Sequence, residues 1–137
     1  MRQSKTLRLI DANFNRAKEG LRVCEDILRF IYDDRALTGA FKRLRHGCSN
    51  ILLEFPAPYR ILVQARSSAD DVGKKSAVSD KKKPRWSDIF TANVKRAEES
   101  LRVLEEASKL AAPSRSRQFQ SLRFRLYELE KKALEKF

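Results

Sequence analysis

Asn13, Arg16, Glu19 and Arg22 recur eighty positions later as Asn93, Arg96, Glu99 and Arg102, in the same order and at the same spacing. Guanidinium groups in that company suit an anion, because they are planar, permanently charged and offer paired donors. Asn is a poor residue inside a helix, by roughly half a kcal/mol against Ala, so repeating it points to a fixed hydrogen bond or a ligand contact. Glu19, Arg22, Glu99 and Arg102 have a plainer reading as well. In the first copy Arg16, Glu19, Arg22 and Asp26 stand at i,i+3 and i,i+4, where charges on a solvated helix face are worth about 0.2 to 0.5 kcal/mol per pair.

These residues belong to a longer repeat: Ala12 to Phe30 reads ANFNRAKEGLRVCEDILRF and Ala92 to Leu110 reads ANVKRAEESLRVLEEASKL, with nine of nineteen aligned positions identical. Polar positions repeat as faithfully as apolar ones, which a repeat kept only for its core would not need. Phe41-Lys-Arg-Leu44-Arg45 is answered by Phe119-Gln-Ser-Leu122-Arg123, so each unit is a pair of helices. Ala17, Leu21, Cys24 and Leu28 define the core direction of the first helix; Asn13 and Gly20 lie on one edge of that stripe, with Arg16 beyond, and Glu25 lies on the other edge. The expected fold is an all-α four-helix bundle built from a duplicated helical hairpin with a pseudo-two-fold axis. Residues 1–137 are read as one domain, with repeat unit one at 4–58, a long polar linker at 59–85 and repeat unit two at 86–137.

The first helix is expected from Ser4 to Tyr32, and the second from Leu37 to Leu53, capped by Asp34 or Thr38 and closed by Pro56 and Pro58. Tyr59 to Gln64 reads as a short strand or extended segment. A third helix starts at Ser87 as N-cap and runs to Leu110. A fourth runs from Ser114 to the end, with Phe119, Leu122, Leu126, Leu129 and Leu134 inward. His46 stands where the second unit has Phe124 and reads as a packing position; Trp86 and Tyr127 read as anchors of helix ends.

Thirty Lys and Arg against eighteen Asp and Glu give a formal charge of +12, so an anionic partner is expected, either nucleic acid or a small phosphorylated metabolite. No apolar run reaches the roughly 18 residues that span a bilayer, and the start lacks the apolar stretch of a signal peptide, so a cytoplasmic protein without a membrane partner is expected. Cys24 and Cys48 fit buried thiols in a reducing compartment. P-loop, dinucleotide-binding, H-E-x-x-H and C-x-x-C motifs are absent. The segment Arg66-Ser-Ser-Ala-Asp70-Asp71-Val-Gly73-Lys74-Lys75 combines phosphate donors, two carboxylates suited to Mg²⁺ and a Gly that admits close backbone approach, alongside its reading as an ordinary polar loop.

Taken in order, D-A-N-x-N-R-A-x-E-G-L-R-V-x-E-D at Asp11 to Asp26, R-H at Arg45-His46, A-R-x-x-x-D-D-V-G at Ala65 to Gly73 and A-N-x-x-R-A-x-E-x-L-R-V-L-E-E at Ala92 to Glu106 resemble one family. It is the hydroxymethylpyrimidine phosphate kinase family of thiamin biosynthesis whose domain is often fused ahead of thiamine-phosphate synthase. The resemblance implies transfer of the ATP γ-phosphoryl group to hydroxymethylpyrimidine phosphate, with Mg²⁺ accompanying ATP. Under it, Arg16, Arg96, Arg45 and Arg66 would hold phosphates. Asn13, Asn93, Glu19, Glu99, Arg22 and Arg102 would contact substrate, the asparagines reading pyrimidine edges or fixing the arginines, and Asp70 or Asp71 would help hold Mg²⁺. Partners implied are the phosphorylated pyrimidine, ATP and thiamine-phosphate synthase, with a homodimer as one way to finish the pocket. Two other readings stay open: a basic helical module that grips nucleic acid, and a bundle that docks on the synthase without chemistry of its own.

Overall fold

A computed structural model describes residues 2–73 and 84–137. Among the described residues there are five α-helices: α1 (Arg2–Asp26), α2 (Arg35–Leu53), α3 (Tyr59–Gln64), α4 (Trp86–Ala111) and α5 (Pro113–Leu134). No strand occurs among the described residues. The chain is all-α, and α1, α2, α4 and α5 form the bundle: α1 packs on α2 and α4, and α5 packs on α4 and α2.

Each boundary has a local cause. A π turn at Ile27–Ile31 widens the end of α1, and Asp33 takes a left-handed φ of 51°, reversing the chain. The carboxylate of Asp34 then accepts from the Leu37 backbone N–H at 2.9 Å, which starts α2 at Arg35 rather than Leu37. Tyr59 to Gln64 is a helix, not the expected extended segment: Pro58 fixes an extended entry and its carbonyl accepts from Ile61 and Leu62, which closes the first turn. The N-cap of α4 is Arg85 rather than Ser87, because Asp88 reaches back to the Arg85 N–H at 2.9 Å. Pro113 opens α5, its missing N–H costing nothing at a first turn. At the far end of α5 it is Ala133 that is buried, while Leu134 is 42% exposed, contrary to its expected inward place.

The core collects the repeated apolar positions of both units, with Leu21 and Leu101, Leu44 and Leu122, and Phe41 and Phe119 among them. Phe41 meets Phe90 edge to face at 5.7 Å, tying the two hairpins. The helices α1 and α4 run antiparallel, since Cys24 lies against the Phe90 carbonyl while Gly20 lies against Asn93 and Ala97. At Gly20 the approach is so close that a Cβ would stand 2.8 Å from the Asn93 carbonyl oxygen. Cys24 and Cys48 are both buried, as expected, and burial pushes the Cys48 thiol up to about 12 and raises Cys24 as well.

Candidate functional site

The α1–α4 crossing leaves a cleft of about 500 Å³, with Asn13, Arg16, Glu19 and Gly20 on one wall and Asn93, Arg96, Glu99, Ser100 and Val103 on the other. Six of the repeated polar residues therefore meet in one place, three from each copy. Both asparagines are held the same way: Asn13 Nδ2 donates to the Leu9 carbonyl at 3.0 Å and Asn93 Nδ2 to the Ile89 carbonyl at 2.8 Å. This i−4 bond fixes the amide and leaves its oxygen as an acceptor for a ligand. Ser100, the counterpart of Gly20, turns its hydroxyl back to the Arg96 carbonyl at 2.7 Å. Arg16, Glu19, Arg96 and Glu99 are exposed to the cleft and form no ion pair among the described residues. The cleft thus offers two guanidinium groups, two carboxylates and two amide oxygens, a set suited to phosphates linked to a polar ring.

Other expected site residues lie elsewhere. Arg22 and Arg102 point away from the cleft and pair with Asp26 at 3.4 Å and Glu106 at 3.3 Å, which is the charge-ladder reading. Arg45 is not a free phosphate ligand: its Nε donates to Glu25 at 2.9 Å inside the first hairpin, with both side chains largely buried. The second hairpin repeats this with Arg123 and Glu105, each 7% exposed. The recurrence of Glu25 as Glu105 is explained by these two pairs.

Arg66 forms a bidentate pair with buried Asp11, at 2.6 and 3.0 Å, and also donates to the Tyr59 hydroxyl at 3.2 Å. Asp11 sits about 140° around α1 from Arg16 at 100° per residue, so this latch lies on the far edge of the helix from the cleft. Asp11 was legible only as the first letter of a pattern, because nothing in the sequence reveals that a residue 55 positions on would reach it. Asp70 accepts from Ser67 Oγ at 2.8 Å and Asp71 from the Gly73 N–H at 2.9 Å, so both serve their own loop. Neither lines the cleft, and no group of three or more His, Cys, Asp or Glu among the described residues is placed to hold a metal. Lys74, Lys75 and Lys81 to Lys83 lie outside the described residues.

His46 and Phe124 both face outward rather than packing. Tyr127 is an anchor within α5 rather than at its end, accepting from Arg123 at 3.1 Å. A feature that sequence reading passed over lies between α4 and α5, where Lys95 Nζ bridges Glu98 and Glu130 at 3.2 Å each. Burial, together with the neighbouring Glu130, pushes the Glu98 carboxyl up to about 7.

Fold and cleft together define a duplicated-hairpin helical bundle whose two copies present matched basic and amide groups to one shared site. The chain belongs to the ThiD2 family, whose model matches residues 8–132. Among curated relatives it is similar to the thiamine-phosphate synthase of Thermosynechococcus vestitus, 38% identical over 124 residues, and to that of Synechocystis sp., 37% identical over 124 residues. Both alignments cover 90% of this chain and 34% of the relative. The thiamine-phosphate synthase of Rhodopirellula baltica is 35% identical over 127 residues, 91% of this chain and 33% of the relative. The chain spans about a third of the length of these relatives. No solved structure matches it. No helix among the described residues is long and apolar enough to cross a membrane.

Proposed function

We propose that the chain works in thiamin biosynthesis as a kinase, moving the ATP γ-phosphoryl group onto hydroxymethylpyrimidine phosphate to give the diphosphate. The observation that carries this reading is the single cleft where Asn13, Arg16, Glu19, Asn93, Arg96 and Glu99 converge. The acceptor is a phosphate oxygen, already anionic near neutral pH, so no His or Asp base is needed and the protein's work is positioning and charge neutralisation. Arg16 and Arg96 supply the paired donors, and the amide oxygen of Asn13 or of Asn93 suits an amino group on a pyrimidine ring. Mg²⁺ enters as part of the nucleotide substrate. A cytoplasmic setting supplies ATP, and the names of the relatives make thiamine-phosphate synthase the natural consumer of the product.

The test is incubation of the purified chain with ATP, Mg²⁺ and hydroxymethylpyrimidine phosphate, with the diphosphate followed by mass and unphosphorylated hydroxymethylpyrimidine as control. Diphosphate should form from the monophosphate, and Arg16→Ala or Arg96→Ala should abolish turnover with the helical circular-dichroism spectrum intact. Normal turnover in both variants would defeat the assignment. A nucleic-acid module is disfavoured because Glu19 and Glu99 line the same cleft as the arginines, where a phosphate-tracking surface would exclude them. Absence of product together with steeply salt-dependent oligonucleotide binding would reverse that preference.

A further inference from the structure

We infer that the two copies divide the two substrates between them: Arg16 holds the phosphate of one, Arg96 that of the other, and the phosphoryl group crosses near the pseudo-two-fold axis. This rests on the kinase reading and adds which residues serve which substrate. The register of the crossing carries it. Gly20 against Asn93 and Ala97, with Cys24 against Phe90, puts the axis close to Ala17 and Ala97, both fully buried. Asn13 and Arg16 lie on the N-terminal side of that point in α1, and Asn93 and Arg96 on the N-terminal side in α4. Since the helices are antiparallel, the two Asn–Arg pairs sit toward opposite ends of the cleft. Helical side chains lean toward the N-terminus, which carries the pairs further apart and brings Glu19 and Glu99 back toward the middle.

The chemistry has the same symmetry. An oxygen of the acceptor monophosphate forms a bond to the γ-phosphorus as the bond from that phosphorus to the β-bridging oxygen breaks, and ADP leaves with the electron pair. No proton moves, and total charge is the same on both sides. In the in-line transition state the transferred group lies between two phosphates, so the reaction looks nearly alike from either end. One arginine at each end matches that arrangement.

Binding without turnover tests it. The non-hydrolysable ATP analogue AMP-PNP with Mg²⁺, and separately hydroxymethylpyrimidine phosphate, are titrated calorimetrically into the unmodified chain, Arg16→Ala and Arg96→Ala. Both arginines are exposed and unpaired among the described residues, so the variants keep the fold, which circular dichroism checks. Each variant should lose at least about tenfold affinity for one ligand and stay within about twofold for the other, with opposite assignments, the scale of a lost charged hydrogen bond. Loss of the same ligand in both variants, or of neither, overturns the division even where diphosphate is made. The predicted crossed pattern without diphosphate formation keeps the division and removes the kinase. If the unmodified chain binds neither ligand, both fall.

Discussion

At the scale of single residues, arginines that look alike in the sequence have three different fates. Arg16 and Arg96 stand in the cleft, Arg45 and Arg123 are locked to buried glutamates, and Arg66 is tied to Asp11. Removing Arg123 strands a carboxylate that is only 7% exposed, so Arg123→Ala should cost about 3–5 kcal/mol in urea unfolding, the scale of a broken buried pair. Arg66→Ala should cost less than Arg123→Ala in the same assay, because Arg66 is 39% exposed and water can replace part of what Asp11 loses. An Arg123 variant as stable as the parent in that assay would remove the structural role assigned here. The sequence could not sort these arginines, since what distinguishes them is a partner on another helix and not the spacing along their own. Spacing did expose Asn13 with Asn93 and Arg16 with Arg96, because there the partner is the second copy of the same motif.

At the scale of elements, the α1–α4 contact sets the width of the cleft. Gly20→Ala would drive a Cβ to 2.8 Å from the Asn93 carbonyl oxygen, a backbone atom held by helix hydrogen bonds, so the helices must part. The variant should melt at lower temperature and bind phosphate ligands more weakly. Gly39 in α2 offers the contrast, because its nearest neighbour at 3.2 Å is the movable tip of Arg43. Gly39→Ala should gain about 0.5–1 kcal/mol from helix propensity and leave the cleft unchanged, read as a higher unfolding midpoint with unaltered ligand binding. The long helices were legible because their apolar spacing runs on for many turns. The helix at Tyr59–Gln64 was not, for six residues offer less than two turns of periodicity and its start is set by the Pro58 carbonyl.

For the whole molecule, the Lys95–Glu98–Glu130 cluster links stability to pH. Glu98 is held protonated to about 7 in the fold against 4.5 for a free side chain, so the folded chain binds more protons between those values. Stability from this group is therefore present at low pH and is lost as pH rises through that window, and Glu98→Gln should flatten the fall. Urea midpoints of parent and variant at pH 5 and pH 7.5 check it: the parent should lose more on going to the higher pH, and equal losses would contradict the assignment. The architecture at this scale followed from the duplication alone, whereas the ion cluster did not, because α5 supplies Glu130 from a position that is Leu52 in the first hairpin.

Both cysteines of the chain belong to the first hairpin, Cys24 in α1 and Cys48 in α2, and the second hairpin carries none. With each sulfur buried and its thiolate disfavoured, a disulfide reagent has to wait for that hairpin to open. The rate at which colour develops is then a stopwatch for one half of the molecule. Set beside a global unfolding rate, it tells whether the two halves come apart together or one at a time.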